Sequence, residues 1–339
     1  MRKAAILTAA AAALAGGAVI VERTLIAAPH YHGPRSDHFG GRRFHNDSPL
    51  WQSERSFLKW QMNRERGVWA RVDAPPGPRP PARVDDLRVT FVNHATLLIQ
   101  IDGLNILTDP IWSERCSPVS FAGPKRHRPP GIRFDDLPKI DIVLVSHNHY
   151  DHLDVPTLRA LQSRFHPRIF TPLGNSALMA RYGIHAEDLD WWQSKANITL
   201  VPAQHFCSRG LSDRNATLWG GFVITGRGGN VYFAGDTGWG GHFAEIARRF
   251  SPIRLACLPI GSYLPRWFMS PAHIDPAEAV KAHHVLHAKT SVAMHYGTFE
   301  LGDDGEMEAV DELRRALVAN GNPYFWILGF GEGRDVPSE

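Results

Sequence analysis

Short apolar, β-branched runs ending in polar residues recur through most of this chain. They lie at Arg88 to Ile101, Leu104 to Thr108, Ile140 to Val145, Arg168 to Phe170, Ile198 to Val201, Gly220 to Ile224, Val231 to Ala234, Leu255 to Pro259, Ser291 to Met294 and Phe325 to Leu328. Runs of this kind bounded by turn-forming residues predict strands. Between some of them, apolar positions recur at helical spacing, at Val155 to Phe165, Asn175 to Tyr182, His242 to Phe250, Pro276 to Leu286 and Gly305 to Asn320. Strands interleaved with helices predict sheets covered by helices, here a four-layer α/β arrangement of two packed sheets. Both halves contain a strand that ends in Asp, Leu104 to Asp109 and Val231 to Asp236, a faint echo of duplication without a repeat of fixed period.

The pattern changes upstream. Arg2 and Lys3 precede an uncharged run from Ala4 to Val21, closed by Glu22 and Arg23, which is the layout of an export signal or a membrane anchor. The run reaches the lower end of a membrane span, and Ile26-Ala27-Ala28 makes a poor cleavage site because small residues are wanted at both flanking positions. Residues 1–28 are therefore expected to be an uncleaved anchor or a signal, with the remaining chain exported to the periplasmic or outer side of the membrane. Residues 29–83 read as an arm with one helical stretch, Trp51 to Ala70, and a stiff proline-rich linker from Ala74 to Ala82. The catalytic domain is expected over residues 84–335.

Composition narrows the function classes. Of 339 residues, 43% are hydrophobic and 21% charged, enough for a large core. A formal net charge of +3 is too mild to point to nucleic-acid binding. Cys116, Cys207 and Cys257 are too few and too scattered for a disulfide framework or a cysteine-based zinc knuckle. The 18 histidines are more informative, since imidazole is the commonest metal ligand.

The densest cluster is Ser146-His147-Asn148-His149-Tyr150-Asp151-His152-Leu153-Asp154, which begins where the apolar run from Ile140 stops. Asp154 is suited to cap the helix that follows, with Pro156 in its first turn. His147 and His149 can face one way from an extended loop, while Asp151 and His152 are displaced as the chain turns toward the helix. Zinc accepts imidazole and carboxylate together, and two adjacent ions can share and activate one water. Further ligand types follow other buried runs: His205, Asp236 and His295. His205 would complete a set with His147 and His149, His295 a second set with Asp151 and His152, and Asp236 would bridge them. Glycines around Asp236 and after His295 would let the backbone approach the ions. Ligand type alone does not separate zinc from iron or manganese.

At these residues the sequence resembles the metallo-β-lactamase superfamily, and within it the group of N-acylphosphatidylethanolamine-hydrolysing phospholipases D. The resemblance extends from about Val89 to Gly331. It includes Asn93-His-Ala-Thr96, Leu107-Thr-Asp-Pro-Ile111, Gly123-Pro-Lys-Arg126, Asp190-Trp-Trp192, Pro265-Arg-Trp-Phe-Met269, His273-Ile-Asp-Pro276 and His295-Tyr-Gly-Thr-Phe299. It implies an αββα sandwich, two zinc ions on His147, His149, Asp151, His152, His205, Asp236 and His295, and phosphodiester cleavage of a phospholipid. Asp236 would orient the attacking hydroxide, and His273 corresponds to the histidine that the group places beside the substrate phosphate. The glutamine that precedes that histidine in the phospholipase is Ala272 here, which leaves the substrate open. Lys125, Arg126 and Arg128 form a basic loop expected to touch anionic lipid headgroups. Lactonase, β-lactamase or nuclease chemistry on the same fold, and a non-catalytic metal-binding envelope protein, are the rival readings.

Overall fold

In the computed structural model, residues 26–50 and 54–338 are described. The expected anchor run, Ala4 to Val21, lies outside them. Among the described residues no helix is long and apolar enough to cross a membrane.

Two seven-stranded sheets pack face to face. The first is built from β1 (Leu87–Asn93), β2 (Thr96–Ile101), β3 (Leu104–Thr108), β4 (Ile142–Leu144), β5 (Arg168–Pro172) and β6 (Glu187–Leu189). The second contains β7 (Ser194–Lys195), β8 (Ile198–Val201), β9 (Gly221–Ile224), β10 (Asn230–Phe233), β11 (Ile253–Pro259), β12 (Thr290–Met294) and β13 (Phe325–Trp326). The last strand, β14 (Gly333–Asp335), returns to the first sheet and pairs antiparallel with β1. Each sheet starts as an antiparallel meander, β1 to β3 or β7 to β10, and continues in parallel strands. The duplication suggested by the two strands ending in Asp is thus a duplication of topology.

Strand alternation divides the core. Ile142 and Leu144 face the space between the sheets with Phe91, Phe222 and Phe233. Val143 and Val145 face outward onto Leu158 and Leu161 of α2 (Val155–Phe165) and Leu178 and Met179 of α3 (Asn175–Ala180). The second sheet is covered by α4 (His242–Phe250), α6 (Pro276–Val285) and α7 (Glu308–Ala319), whose Phe243, Val280 and Leu313 join the central core. A single-turn helix of four residues, α5 (Arg266–Met269), connects β11 to α6.

Four features differ from the sequence expectation. The single run Arg88 to Ile101 is a hairpin, because His94 turns at φ 48° between Asn93 and Thr96. Strands β6, β7 and β14 are short, polar edge strands without an apolar run. Helix α1 stops at Met62 (Glu54–Met62) rather than Ala70, because residues 67–70 run along another loop: Gly67 N–H donates to Asp303 O and Glu306 N–H to Val68 O. A Cβ at Gly67 would stand 2.2 Å from the Gly305 nitrogen. The expected linker is docked, with Gly77 N–H on Gly131 O and Gln100 Nε2 on Pro81 O.

The arm is likewise part of the body. Phe39 and Phe44 are buried in the central core, and His38 bridges Asp37 and Asp190 while stacking on Trp191. Ala27 and Ala28, assigned above to the anchor, are buried, with Ala28 N–H on Asp213 Oδ2 at 2.6 Å.

Candidate metal centre

All seven expected ligands sit on loops that leave strands, four of them in the tight loop after β4. There His152 N–H and Leu153 N–H both donate to His149 O, which folds Asp151 and His152 back beneath His147. Asp154 occupies the N-cap position of α2 but does not cap it. Its carboxylate instead accepts from Thr157 Oγ1, Ser113 Oγ and Ser113 N–H, tying the loop to the segment after β3. Gly235, beside Asp236, has φ +61°, and a Cβ there would lie 2.8 Å from Ser146 Cβ. It permits contact between the two strand ends, not the approach to an ion expected above.

The structure brings His147, His149, Asp151, His152, His205, Asp236 and His295 together, with His273 at the margin. His147 Nε2 lies 2.9 Å and His205 Nε2 3.3 Å from His149 Nδ1. Asp151 Oδ2 lies 3.1 Å from His152 Nε2 and 3.5 Å from His295 Nε2. One oxygen of Asp236 reaches both groups: Oδ2 is 3.2 Å from His152 Nε2, 3.1 Å from His295 Nε2 and 3.9 Å from His205 Nε2. His273 Nδ1 is also 3.9 Å from that oxygen. The inner rings are buried, whereas His149 and His273 are half-buried and mark the accessible side.

Hydrogen bonds on the far ring nitrogens fix which nitrogen faces inward. His152 Nδ1 is held at 2.6 Å by Asp109 Oδ2, His205 Nδ1 at 3.0 Å by Ala272 O, and His147 Nδ1 at 2.8 Å by Ser146 Oγ, itself bound to Asp109. Each Nε2 then presents its lone pair to the others. Neutral imidazoles arranged in this way repel one another unless a cation stands between them. Their spacing also suits one, since nitrogens about 2.0–2.1 Å from a tetrahedral zinc are roughly 3.3 Å apart. Burial holds His149 at about 4 and His205 and His147 well below the ordinary imidazole value, so all three are neutral near pH 7, the form in which imidazole can bind a metal.

The second group carries the opposite charge pattern. Burial alone would favour neutral Asp151 and Asp236, but the neighbouring histidines outweigh it and hold both carboxyls well below their usual range. Burial likewise opposes protonation of His152 and His295, yet the carboxylates prevail, raising His152 strongly and His295 to about 9. Two buried carboxylates thus call for positive charge at this point, which protons on His152 and His295 or a cation can supply. His152 Nε2, His295 Nε2 and Asp236 Oδ1 have no hydrogen-bond partner there, and the donor set of imidazole and carboxylate fits zinc or another borderline divalent ion.

Two participants were missed in the sequence. His94, at the β1–β2 turn, places Nε2 2.9 Å from Asp151 Oδ2, and its carbonyl accepts His295 N–H. Its only signal was its place in the stretch Asn93 to Thr96. Asp109 ends β3 as Asp236 follows β10, so equivalent strands hold His152 between two aspartates. The paired strands ending in Asp were that signal.

The basic loop is corrected. Arg126 is buried, donating to Ser113 O and Ile111 O over the Phe299 ring, and Arg128 pairs with Glu306 over Phe330. Lys125 is paired with Glu114. The arginines fasten the segment after His295 and present no headgroup-binding surface. The three cysteines are buried free thiols, and Cys207 is pushed up to about 12 by burial.

Comparison with known proteins places this geometry in context. Residues 104–296 match the beta-lactamase superfamily domain. Over 251 residues the chain is 40% identical to an N-acyl-phosphatidylethanolamine-hydrolyzing phospholipase D of Caenorhabditis elegans, covering 69% of this chain and 70% of that one. It is 33% identical over 226 residues to a metal-dependent hydrolase of Methanopyrus kandleri, covering 63% and 85%. It spans only 64% of the length of mycobacterial relatives to which it is 40% identical. Among solved structures, an isothiocyanate hydrolase from Delia radicum gut bacteria superposes with a TM-score of 0.59 at 22% identity, over 73% of this chain and 98% of that one, a likeness of fold alone.

Proposed function

Because the chain belongs to the metallo-β-lactamase superfamily, as a metal-dependent hydrolase of the group that includes N-acyl-phosphatidylethanolamine-hydrolysing phospholipases D, we propose that it is a two-zinc phosphodiesterase acting on phospholipids, N-acylated ones among them. The observation that carries this reading is the pair of ligand groups joined through one Asp236 oxygen. His147, His149 and His205 would hold one ion, Asp151, His152 and His295 the other, and Asp236 both. Bound there, the ions would supply Lewis acidity for a phosphoryl oxygen and a water acidic enough to ionise near neutral pH.

The remaining chemistry falls to the chain's own side chains. Asp236 Oδ1, without a hydrogen-bond partner, can accept from the attacking water and orient it. His273 is held down at about 4, chiefly by burial, so it is neutral at pH 7 and suited to donate a hydrogen bond to a phosphoryl oxygen. Its carbonyl is fixed by Arg266 Nη1 at 2.9 Å.

The test is a substrate panel with the metal-loaded full chain: vesicles of N-acylated and plain phosphatidylethanolamine, a lactone and a β-lactam. Release of phosphatidic acid with the matching free headgroup is expected. Turnover of the lactone or β-lactam with both lipids untouched overturns the proposal. His149→Ala is expected to lose one metal per chain and about 10²–10³-fold in kcat, the scale on which loss of a transition-state charge contact is felt.

A further inference from the structure

The arm upstream of the matched domain reaches the metal centre through one side chain. Asn46 is buried, and its amide closes on the backbone of His205 from both sides: Nδ2 donates to His205 O at 2.8 Å, and Oδ1 accepts His205 N–H at 3.1 Å. Trp219 Nε1–H, shared between Ala203 O at 2.9 Å and the same Asn46 oxygen at 3.2 Å, agrees with that orientation of the amide. One residue away, Gln204 Nε2 donates to Ser48 O at 2.7 Å. His205 lies beyond β8: the carbonyl of the preceding peptide, Gln204 O, accepts Gly238 N–H at 2.8 Å, while the N–H and C=O of His205 itself are held by Asn46. Its ring is anchored at Nδ1 by Ala272 O. Ring and backbone are therefore held by different parts of the chain.

We propose that Asn46 is a positioning residue for the metal held by His147, His149 and His205, acting by fixing the His205 peptide. The inference rests on His205 being a metal ligand. The arm is itself anchored independently of the centre, by Phe44 N–H on Asn215 O, Tyr31 N–H on Ala216 O and the buried Phe39 and Phe44 rings. Asn46 thus transmits the arm's position to one metal and touches no ligand of the other. Partners that orient a metal ligand typically alter affinity about 10–100-fold when removed.

The experiment is titration of the metal-free full chain with Co²⁺, followed by its visible absorbance and by chelator competition, in wild type, Asn46→Ala, His205→Ala and His295→Ala. The two histidine variants identify which binding step belongs to which ion. Asn46→Ala is expected to weaken the step lost in His205→Ala about 10–100-fold and to leave the step lost in His295→Ala unchanged. Equal weakening of both steps means that Asn46 only supports the fold, and wild-type affinity at both also overturns the proposal. If His205→Ala itself retains both steps, the failure lies in the ligand assignment and not in the Asn46 clamp. Should Asn46→Ala not fold, Asn46→Asp keeps the shape and the acceptor for His205 N–H and removes the donor to His205 O. A smaller loss confined to the same step then supports the proposal, and unchanged affinity overturns it.

Discussion

At the scale of single residues, the centre depends on partners one bond further out than its ligands. Asp109 receives His152 Nδ1 at 2.6 Å and also Ser146 Oγ and N–H, so a single buried carboxylate orients two of the proposed ligands, His152 directly and His147 through Ser146. Asp109→Ala is expected to reduce metal retention by about 10–100-fold in chelator competition, while conserving the side chains that touch the ions. Such partners escape a reading of ligand spacing, because Asp109 and His94 come from hairpin and strand ends remote in sequence from the cluster. Protonation is also decided here. His242, buried with Nε2 3.1 Å from Thr237 Oγ1, is lowered to about 3 by burial. The folded chain therefore binds fewer protons than the unfolded chain between about pH 6.5 and 3, and stability falls as pH falls through that window. His242→Gln should make denaturation free energy less steep by about 1.4 kcal/mol per pH unit there. Asp304 has the opposite sign: burial raises it to about 6, so its contribution is present below pH 4 and is lost as pH rises through 6. Asp304→Asn keeps an acceptor for Ser262 N–H and should raise the unfolding midpoint at pH 8 more than at pH 4.

At the scale of elements, long apolar runs were legible and polar edges were not. Helices α2 and α4 begin and end where their apolar periodicity and flanking residues place them. The buried strands β3 and β8 also match their runs, because burial on both faces writes itself into consecutive side chains. β7 and β14, pairing at sheet edges through backbone and polar side chains, carry no such record. The stretch Trp51 to Ala70 misled for a related reason: Phe57, Leu58, Met62 and Trp69 recur near a helical period, but Trp69 lies beyond the helix, with its indole on Asp304 O, while Trp60 within it reaches Asp303. Helix α6 shows how an element sets a site residue. Asp275 and Glu278 form a capping box, and Arg266 joins Glu278 to the His273 carbonyl. Asp275→Ala should cost about 1–2 kcal/mol in chemical denaturation, and by loosening the turn that carries His273 it should raise KM for substrate.

At the scale of the molecule, the arm and the docked linker make the folded body larger than residues 84–335. Trp60 and Arg64 grip Asp303 just beyond the loop that carries His295, while Phe39 and Phe44 fill the central core. Removing residues 26–83 strips two rings whose burial contributes about 1.5–3 kcal/mol each, together with both clamps. A fragment starting at residue 84 is expected to bind less than one metal per chain and to precipitate more readily than one starting at residue 26, as read by metal analysis and light scattering. The return of β14 to β1 has a different consequence, one of timing. Leu87 enters its sheet early, but its neighbour Val336, whose N–H it receives, emerges from the ribosome roughly 250 residues later. At about 5–20 residues per second this is an interval of some 12–50 s. Throughout it, the nascent polypeptide carries an unsealed β1 margin, a strand edge open to mispairing until β14 arrives.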